Sequence, residues 1–155
     1  MAICLWFDGQ AEQAADFYLS IFENASIGRI SRYGQEGFEF HKKPVGTAMT
    51  VEFTLNGMNF IGLNGGPQFR FNEAVSVVVY CETQDEIDYY WNHLTNDGEE
   101  GPCGWLKDQF GVSWQVIPGI LSKVMADPNK AGKAAKAFMQ MRKFDIEKIV
   151  QATMA

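Results

Sequence analysis

The chain has 155 residues, 46% hydrophobic and 14% aromatic, and 13 basic against 19 acidic side chains give a net charge of −6. A chain of this size buries roughly 70% of its unfolded surface as one domain, and this apolar content suits a packed core rather than a disordered segment. No apolar run approaches the ~20 residues of a membrane helix, and the acidic balance argues against nucleic acid as the main partner.

Ile3 to Phe7 is a short apolar run that predicts a first strand, and Asp8-Gly9 after it marks a turn and helix start. Ala11, Ala14, Ala15, Tyr18, Ile21 and Phe22 recur at helical spacing and form one apolar stripe. Residues 26–33 alternate weakly as a strand, and the polar stretch through Pro44 predicts a loop. Met49, Val51, Phe53 and Leu55 then alternate with polar residues up to Asn56-Gly57, and a second strand runs over 58–63. Asn-Gly between two alternating runs is a strong hairpin signal, because both turn positions need positive φ. The glycine-rich segment Gly62-Leu-Asn-Gly-Gly-Pro-Gln-Phe-Arg-Phe71 follows. Its two aromatics, Phe69 and Phe71, are not expected to stand in water unless something binds them.

The order then repeats. Residues 74–81 are a β-branched run, and Thr83-Gln-Asp-Glu86 is a capping box that opens a helix carrying Ile87, Tyr90, Trp91 and Leu94 on one stripe. Short strands are expected over 103–107 and 112–117, with Asp108-Gln-Phe-Gly111 as the turn between them. Residues 120–155 read as a helical appendage with Ala131, Ala134, Phe138 and Met141 on one face. From Lys123 onward seven basic and three acidic residues make this tail +4, leaving the rest at −10. Its basic face is expected to be solvated.

Cys4, Cys81 and Cys103 are odd in number and far apart, so they form neither a disulfide framework nor a Cys-x-x-Cys site. With no signal-peptide pattern at the N-terminus, a reducing cytoplasm is the expected location. No phosphate-binding loop, Gly-x-Ser-x-Gly elbow or His-Glu-x-x-His motif is present. His93 falls on the polar face of its helix, and His41 precedes Lys42-Lys43-Pro44 in a loop that could approach a pocket mouth. Glu52, flanked by Thr50 and Thr54, reads as part of a half-polar sheet face. Cys103 lies between Pro102 and Gly104 beside Trp105, with Glu99 and Glu100 of the wrong sign to activate a thiolate, so it reads as a small lining residue.

Two βαβββ modules, with Cys4-Leu-Trp-Phe-Asp-Gly9, Phe17-Tyr18, Gly62-Leu-Asn-Gly-Gly-Pro67 and Gly101-Pro-Cys-Gly-Trp-Leu-Lys-Asp-Gln-Phe-Gly-Val-Ser-Trp114, resemble the PhnB-like branch of the vicinal oxygen chelate superfamily. That superfamily includes glyoxalase I, extradiol dioxygenases and bleomycin resistance proteins. The resemblance covers nearly the whole chain. It implies an α+β fold in one domain, with modules at 1–66 and 74–119 forming a cupped mixed sheet and a helical tail at 120–155. It also implies a homodimer.

The branch often carries a 3-demethylubiquinone-9 3-methyltransferase label. A methyl donor usually sits on a Rossmann-like sheet with a glycine-rich first turn, and only Gly9 follows the first strand here. Catalytic members of the superfamily hold a divalent metal through His, Glu or Gln. The equivalent positions here fall at Ala2, Gly62, Ser76 and Gln115, a set that predicts no metal site, and no catalytic constellation or cofactor is expected.

The resemblance places Gly62 inside the cup, so Phe53, Phe60 and Asn64 are expected to point inward, and Gly62 to leave space there. Alternation adds Cys4 and Trp6, then Ser76, Val78 and Tyr80, then Ser113 and Gln115. With Cys103 and Trp105, the expected ligand-binding set is Trp6, Phe53, Phe60, Asn64, Ser76, Tyr80, Cys103, Trp105 and Gln115. The expected function is metal-free binding of an unidentified small molecule. The alternatives are a lyase, isomerase or dioxygenase-like enzyme with unrecognised ligands, and, behind it, the methyltransferase of the label.

Overall fold

The computed structural model describes residues 1–154, so the last residue of the expected tail, Ala155, lies outside the described residues. The chain divides into two compact units, Met1–Phe71 and Asn72–Ala155.

In the first unit, β1 (Ile3–Phe7), α1 (Ala11–Ile21), β2 (Ala25–Arg32), α2 (Phe38–His41), β3 (Ala48–Leu55) and β4 (Met58–Asn64) follow in order. The sheet order is β1-β4-β3-β2, with β1 parallel to β4 and the other pairs antiparallel. Asn56 (φ 47°) and Gly57 (φ 83°) make the two-residue turn, and the register Val51↔Gly62, Phe53↔Phe60, Leu55↔Met58 is the one the alternation predicts. The short helix α2 lies in the stretch expected to be loop; four residues are too few for a periodic signal.

Helix α1 covers the face of this sheet that carries Val51, Phe53, Leu55, Phe60 and Gly62. Tyr18 stacks on Phe53 with centroids 5.9 Å apart, and Phe53 stacks on Phe60 at 5.2 Å. A Cβ added at Gly62 would lie 3.1 Å from the Ala11 Cβ. The small residues Ala11, Ala14 and Ala15, all fully buried, therefore bring α1 close to the sheet, and Gly62 completes that close approach. This corrects the expectation that Gly62 leaves space in a cup. We expect Gly62→Ala to lower stability by about 1–2 kcal/mol in urea denaturation, since the helix must shift to admit the methyl. A cavity at this position would instead leave the midpoint unchanged.

The second unit holds β5 (Val77–Cys81), α3 (Gln84–Leu94), β6 (Glu99–Glu100), β7 (Trp105–Lys107) and β8 (Ser113–Pro118), with sheet order β5-β8-β7-β6. The strand–helix–strand–strand–strand order thus occurs in both units, as the sequence predicts. Strand β6 has only two residues and carries no alternation to read. The capping box is present as expected, with the Thr83 hydroxyl accepting from the Glu86 N–H and the Glu86 carboxylate accepting from the Thr83 N–H. Ile87, Trp91 and Leu94 of α3 bury against the face formed by Val79, Cys81, Leu106, Trp114 and Val116.

The tail forms α4 (Ile120–Ala126), α5 (Pro128–Phe138) and α6 (Ile146–Met154). It docks on its own unit: the Cys103 and Gly104 N–H groups donate to the Met141 and Arg142 carbonyls at 2.8 and 2.7 Å. The Gln84 side chain donates to the Phe144 carbonyl and accepts from the Ile146 N–H.

Candidate functional site

Each sheet has one face covered by a helix and one that is not, and the strand register decides which side chains reach the uncovered face. In the second unit, Val78 pairs with Gln115, Tyr80 with Ile117, Trp105 with Gln115 and Lys107 with Ser113. All of these lie on the side away from α3, and Ser76 joins them because the Gln115 amide donates to its hydroxyl at 2.9 Å. Four of the expected binding residues, Ser76, Tyr80, Trp105 and Gln115, are therefore brought together on one sheet face. Tyr80 stands 71% exposed there, which is unusual for so large a ring on a strand.

A tight loop sets Trp105. The Gly101 N–H donates to the Trp105 carbonyl at 2.8 Å and the Trp105 N–H to the Pro102 carbonyl at 3.0 Å. Beside the indole lies a depression of about 460 Å³, lined by Glu73, Glu99, Glu100, Gly101, Pro102, Trp105, Leu106 and Lys107. The Lys107 ammonium and the Glu73 carboxylate are 2.7 Å apart. Their hydrogen bond holds Glu73 below the usual carboxylate range and Lys107 above the usual amine range.

The rest of the expected set is placed elsewhere. Cys103 is not on the open face: it takes φ 54° in the loop and its thiol donates to the Phe138 carbonyl at 3.7 Å, against the tail. Phe53 and Phe60 are 2% exposed beneath α1, so they are core and do not line an open cup. Asn64, also 2% exposed, is a structural staple: its Oδ1 accepts from the Ala11 N–H at 2.9 Å and its amide donates to the Ala48 carbonyl at 3.0 Å. Trp6 sits on the opposite, uncovered face of the first sheet. Its indole N–H donates to the Gly66 carbonyl at 2.8 Å, and its ring meets Phe69 edge-on at 4.9 Å. Phe71 meets Phe7 in the same way at 5.2 Å, so the glycine-rich segment folds both of its aromatics onto β1 residues, although Phe69 keeps 65% exposure.

The uncovered face of the first sheet is polar. A depression of about 470 Å³ is bordered by Ala2, Ser26, Glu52, Thr54, Asn59 and Ile61 among others. Glu52 pairs with Arg29 at 2.7 Å, and Ser26 bonds Thr54 at 2.9 Å, which accounts for the half-polar face. His93 is exposed and its Nδ1–H donates to the Tyr89 carbonyl at 2.7 Å. His41 belongs to α2, where its Nδ1 accepts from the Lys43 N–H at 2.9 Å and its ring lies on Tyr33 at 4.6 Å.

These donors do not fit a divalent metal. The uncovered faces offer hydroxyls, a primary amide already bonded to Ser76, and scattered carboxylates, of which Glu52 is held by Arg29 and Glu73 by Lys107, with no imidazole beside them among the described residues. Among the described residues no three His, Cys, Asp or Glu side chains converge. Cys81 is fully buried, and burial pushes its thiol up to about 12, far from a nucleophilic thiolate at neutral pH.

Known proteins share this architecture. The family described as 3-demethylubiquinone-9 3-methyltransferase matches residues 1–117. A PhnB protein of Bacillus cereus that carries the same methyltransferase name is 36% identical, with a TM-score of 0.66 over 77% of this chain and 98% of its own. Two fosfomycin resistance proteins share the fold at low identity. FosX from Mesorhizobium loti is 10% identical with a TM-score of 0.58, covering 82% of this chain and 96% of its own. A FosX mutant from Listeria monocytogenes, complexed with Mn(II) and a dihydroxypropylphosphonic acid, is 15% identical with a TM-score of 0.55, covering 79% and 93%. Among curated proteins none matches. The sequence match and the paired βαβββ modules agree, and the chain belongs to the 3-demethylubiquinone-9 3-methyltransferase, PhnB-like family of the vicinal oxygen chelate superfamily.

Proposed function

We propose that this chain binds a small molecule without a metal, on the uncovered face of the sheet formed by β5 to β8. One observation carries the reading: Tyr80, left 71% exposed, shares a face with Val78, the Gln115–Ser76 pair and Trp105, and Trp105 also lines a depression of about 460 Å³. Ligand sites combine apolar and aromatic surface with a few placed hydrogen-bonding groups in volumes of roughly 300–1,000 Å³, and this face has that composition. The donor set supports the metal-free form, since alanine, glycine and serine stand at three of the four positions where the resemblance puts metal ligands, and the fourth, Gln115, bonds Ser76. Among the described residues the sheet orders contain no run of parallel βαβ units of the kind on which a methyl donor usually lies, so the methyltransferase name finds no support in the topology.

A fluorescence titration against a panel of planar aromatic compounds tests the reading. We expect at least one saturable ligand, with Trp105→Ala and Gln115→Ala each weakening it about tenfold, the equivalent of ~1.4 kcal/mol. Ligands unaffected by both substitutions would place binding elsewhere and remove this face from consideration.

The three free cysteines, one of them fully buried, support a reducing, cytoplasmic setting. We propose further that the chain pairs as a homodimer, as the family resemblance implies and most soluble oligomers do. Sedimentation velocity should show a species of twice the chain mass; a monomer throughout the concentration series would overturn the pairing.

A further inference from the structure

We propose that the C-terminal helices act as a strap that holds Trp105 in place on the uncovered sheet face, so that docking of the tail and use of that face are coupled. The inference rests on the small-molecule reading above only for what Trp105 does once it is held.

Trp105 opens β7, so the loop of residues 101–104 sets its position. Cys103 (φ 54°) and Gly104 (φ 79°) lie in succession in the left-handed region. That region strains a residue with a side chain, and such a conformation persists only where its surroundings hold it. Here the tail does the holding. The Cys103 and Gly104 N–H groups donate to the Met141 and Arg142 carbonyls at 2.8 and 2.7 Å, in the link between α5 and α6. The Cys103 thiol donates to the Phe138 carbonyl at 3.7 Å, and Arg142 Nη1 donates to the Glu100 carbonyl at 3.3 Å. Phe144, 2% exposed, closes over Gly104 so tightly that a Cβ added there would collide with its ring.

The strap is anchored away from the loop that it holds. Gln84, at the start of α3, donates to the Phe144 carbonyl at 3.0 Å and accepts from the Ile146 N–H at 2.9 Å. The Lys143 ammonium meets the Asp88 carboxylate of the same helix at 2.6 Å. The family match ends at residue 117, so the strap is built from residues outside it. With the tail undocked, the loop keeps its own turn bonds and the bond from the Val116 N–H to the Gly104 carbonyl. The Cys103 and Gly104 N–H groups, however, lose the acceptors that offset the strain, and the loop relaxes with Trp105 attached. The coupling is reciprocal: a molecule that needs Trp105 in place favours the docked tail by the factor by which docking favours the molecule.

Gln84→Ala and Phe144→Ala loosen the strap without altering Trp105 or the residues that share its face. In the full chain, N-ethylmaleimide labelling of Cys103 is read by mass spectrometry of its peptide. It should quicken about tenfold in Gln84→Ala, which loses two anchoring bonds. In Phe144→Ala it should quicken on the order of a hundredfold, approaching the rate of the exposed Cys4. The Trp105 indole N–H resonance, assigned by its loss in Trp105→Phe, should move in Phe144→Ala while that of Trp114 stays. The planar probe 2-naphthol should bind Phe144→Ala about tenfold more weakly, and in the parent it should slow Cys103 labelling at saturation. Gln84→Ala empties no core position, so labelling of that variant and protection by 2-naphthol decide the matter even where Phe144→Ala does not fold. Labelling rates unchanged in the folded variants would overturn the strap. A released loop with undiminished 2-naphthol affinity, or a bound probe that leaves Cys103 labelling unchanged, would overturn its control of the face. If neither 2-naphthol nor the aromatic panel binds the parent, the small-molecule reading is lost, and the labelling rates alone decide the strap.

Discussion

Asp108→Ala should cost about 4 kcal/mol of stability, the largest loss expected from a single side-chain truncation at a polar position in this chain. Asp108 is only 3% exposed, and its carboxylate satisfies three donors. Oδ1 accepts from the Phe110 and Val112 N–H groups at 2.9 and 3.0 Å, and Oδ2 accepts from the Trp114 indole N–H at 2.8 Å. The turn between β7 and β8 and the largest buried side chain of the second unit therefore hang on one residue. Its removal takes the acceptor from one part-buried amide, one buried amide and a buried indole, and each acceptor lost at a buried donor costs on the order of 1–3 kcal/mol. For a chain of this length the melting temperature should fall on the order of 10 °C. Asp108→Asn separates the parts: its amide oxygen can still serve the two backbone donors, but its NH2 then confronts the Trp114 N–H. The loss should be about half as large. Urea denaturation followed by tryptophan fluorescence reads both variants, and an Asp108→Ala protein as stable as the parent would refute the clasp.

Asn64→Ala should cost about 3 kcal/mol for a related reason. Helix α1 lacks a local cap, because Gln10 at its N-cap position makes no side-chain bond to the first turn. Asn64 caps it from β4 instead, accepting from the Ala11 N–H while donating to the Ala48 carbonyl at the start of β3. One buried amide thus fixes the start of the helix to two strands. Asn64→Asp retains the acceptor for Ala11 but sets a carboxylate oxygen against the Ala48 carbonyl, so it should not rescue the loss. Neither change touches the face around Trp105. If Asn64 were a ligand contact, Asn64→Ala would weaken binding at unchanged stability; the structure predicts the reverse.

The contrast between the two halves shows what the amino-acid pattern encodes. Elements specified by neighbours in sequence are legible: the Asn56-Gly57 hairpin with its register, the Thr83–Glu86 capping box, and the repeated βαβββ order. Alternation also says which residues share a sheet face, but not which face the helix covers. In the second half the two faces differ in polarity, Trp114 and Val116 against Ser113 and Gln115, so the uncovered side can be told apart. In the first half Phe53 and Phe60 suit either an aromatic pocket or a core, and here they are core. The deciding signal lies in α1: a stripe of Ala11, Ala14 and Ala15 asks for close approach, and Gly62 on the facing strand permits it. The polar staples are harder. Asp108 bonding to amides two and four residues on is a local turn pattern, but its bond to Trp114 and the reach of Asn64 across 53 residues to Ala11 depend on tertiary placement. Glu73 and Glu99 meet around Lys107 for the same reason, through pairing of β6 with β7 and the Glu73–Lys107 contact.

Binding without a metal is decided by one titration done twice. The tightest compound of the aromatic panel is titrated into the full chain after exhaustive treatment with EDTA, then again with saturating Mn(II). The same midpoint and the same Trp105-dependent signal are expected in both. Binding that appears only with Mn(II), or that EDTA abolishes, would contradict it.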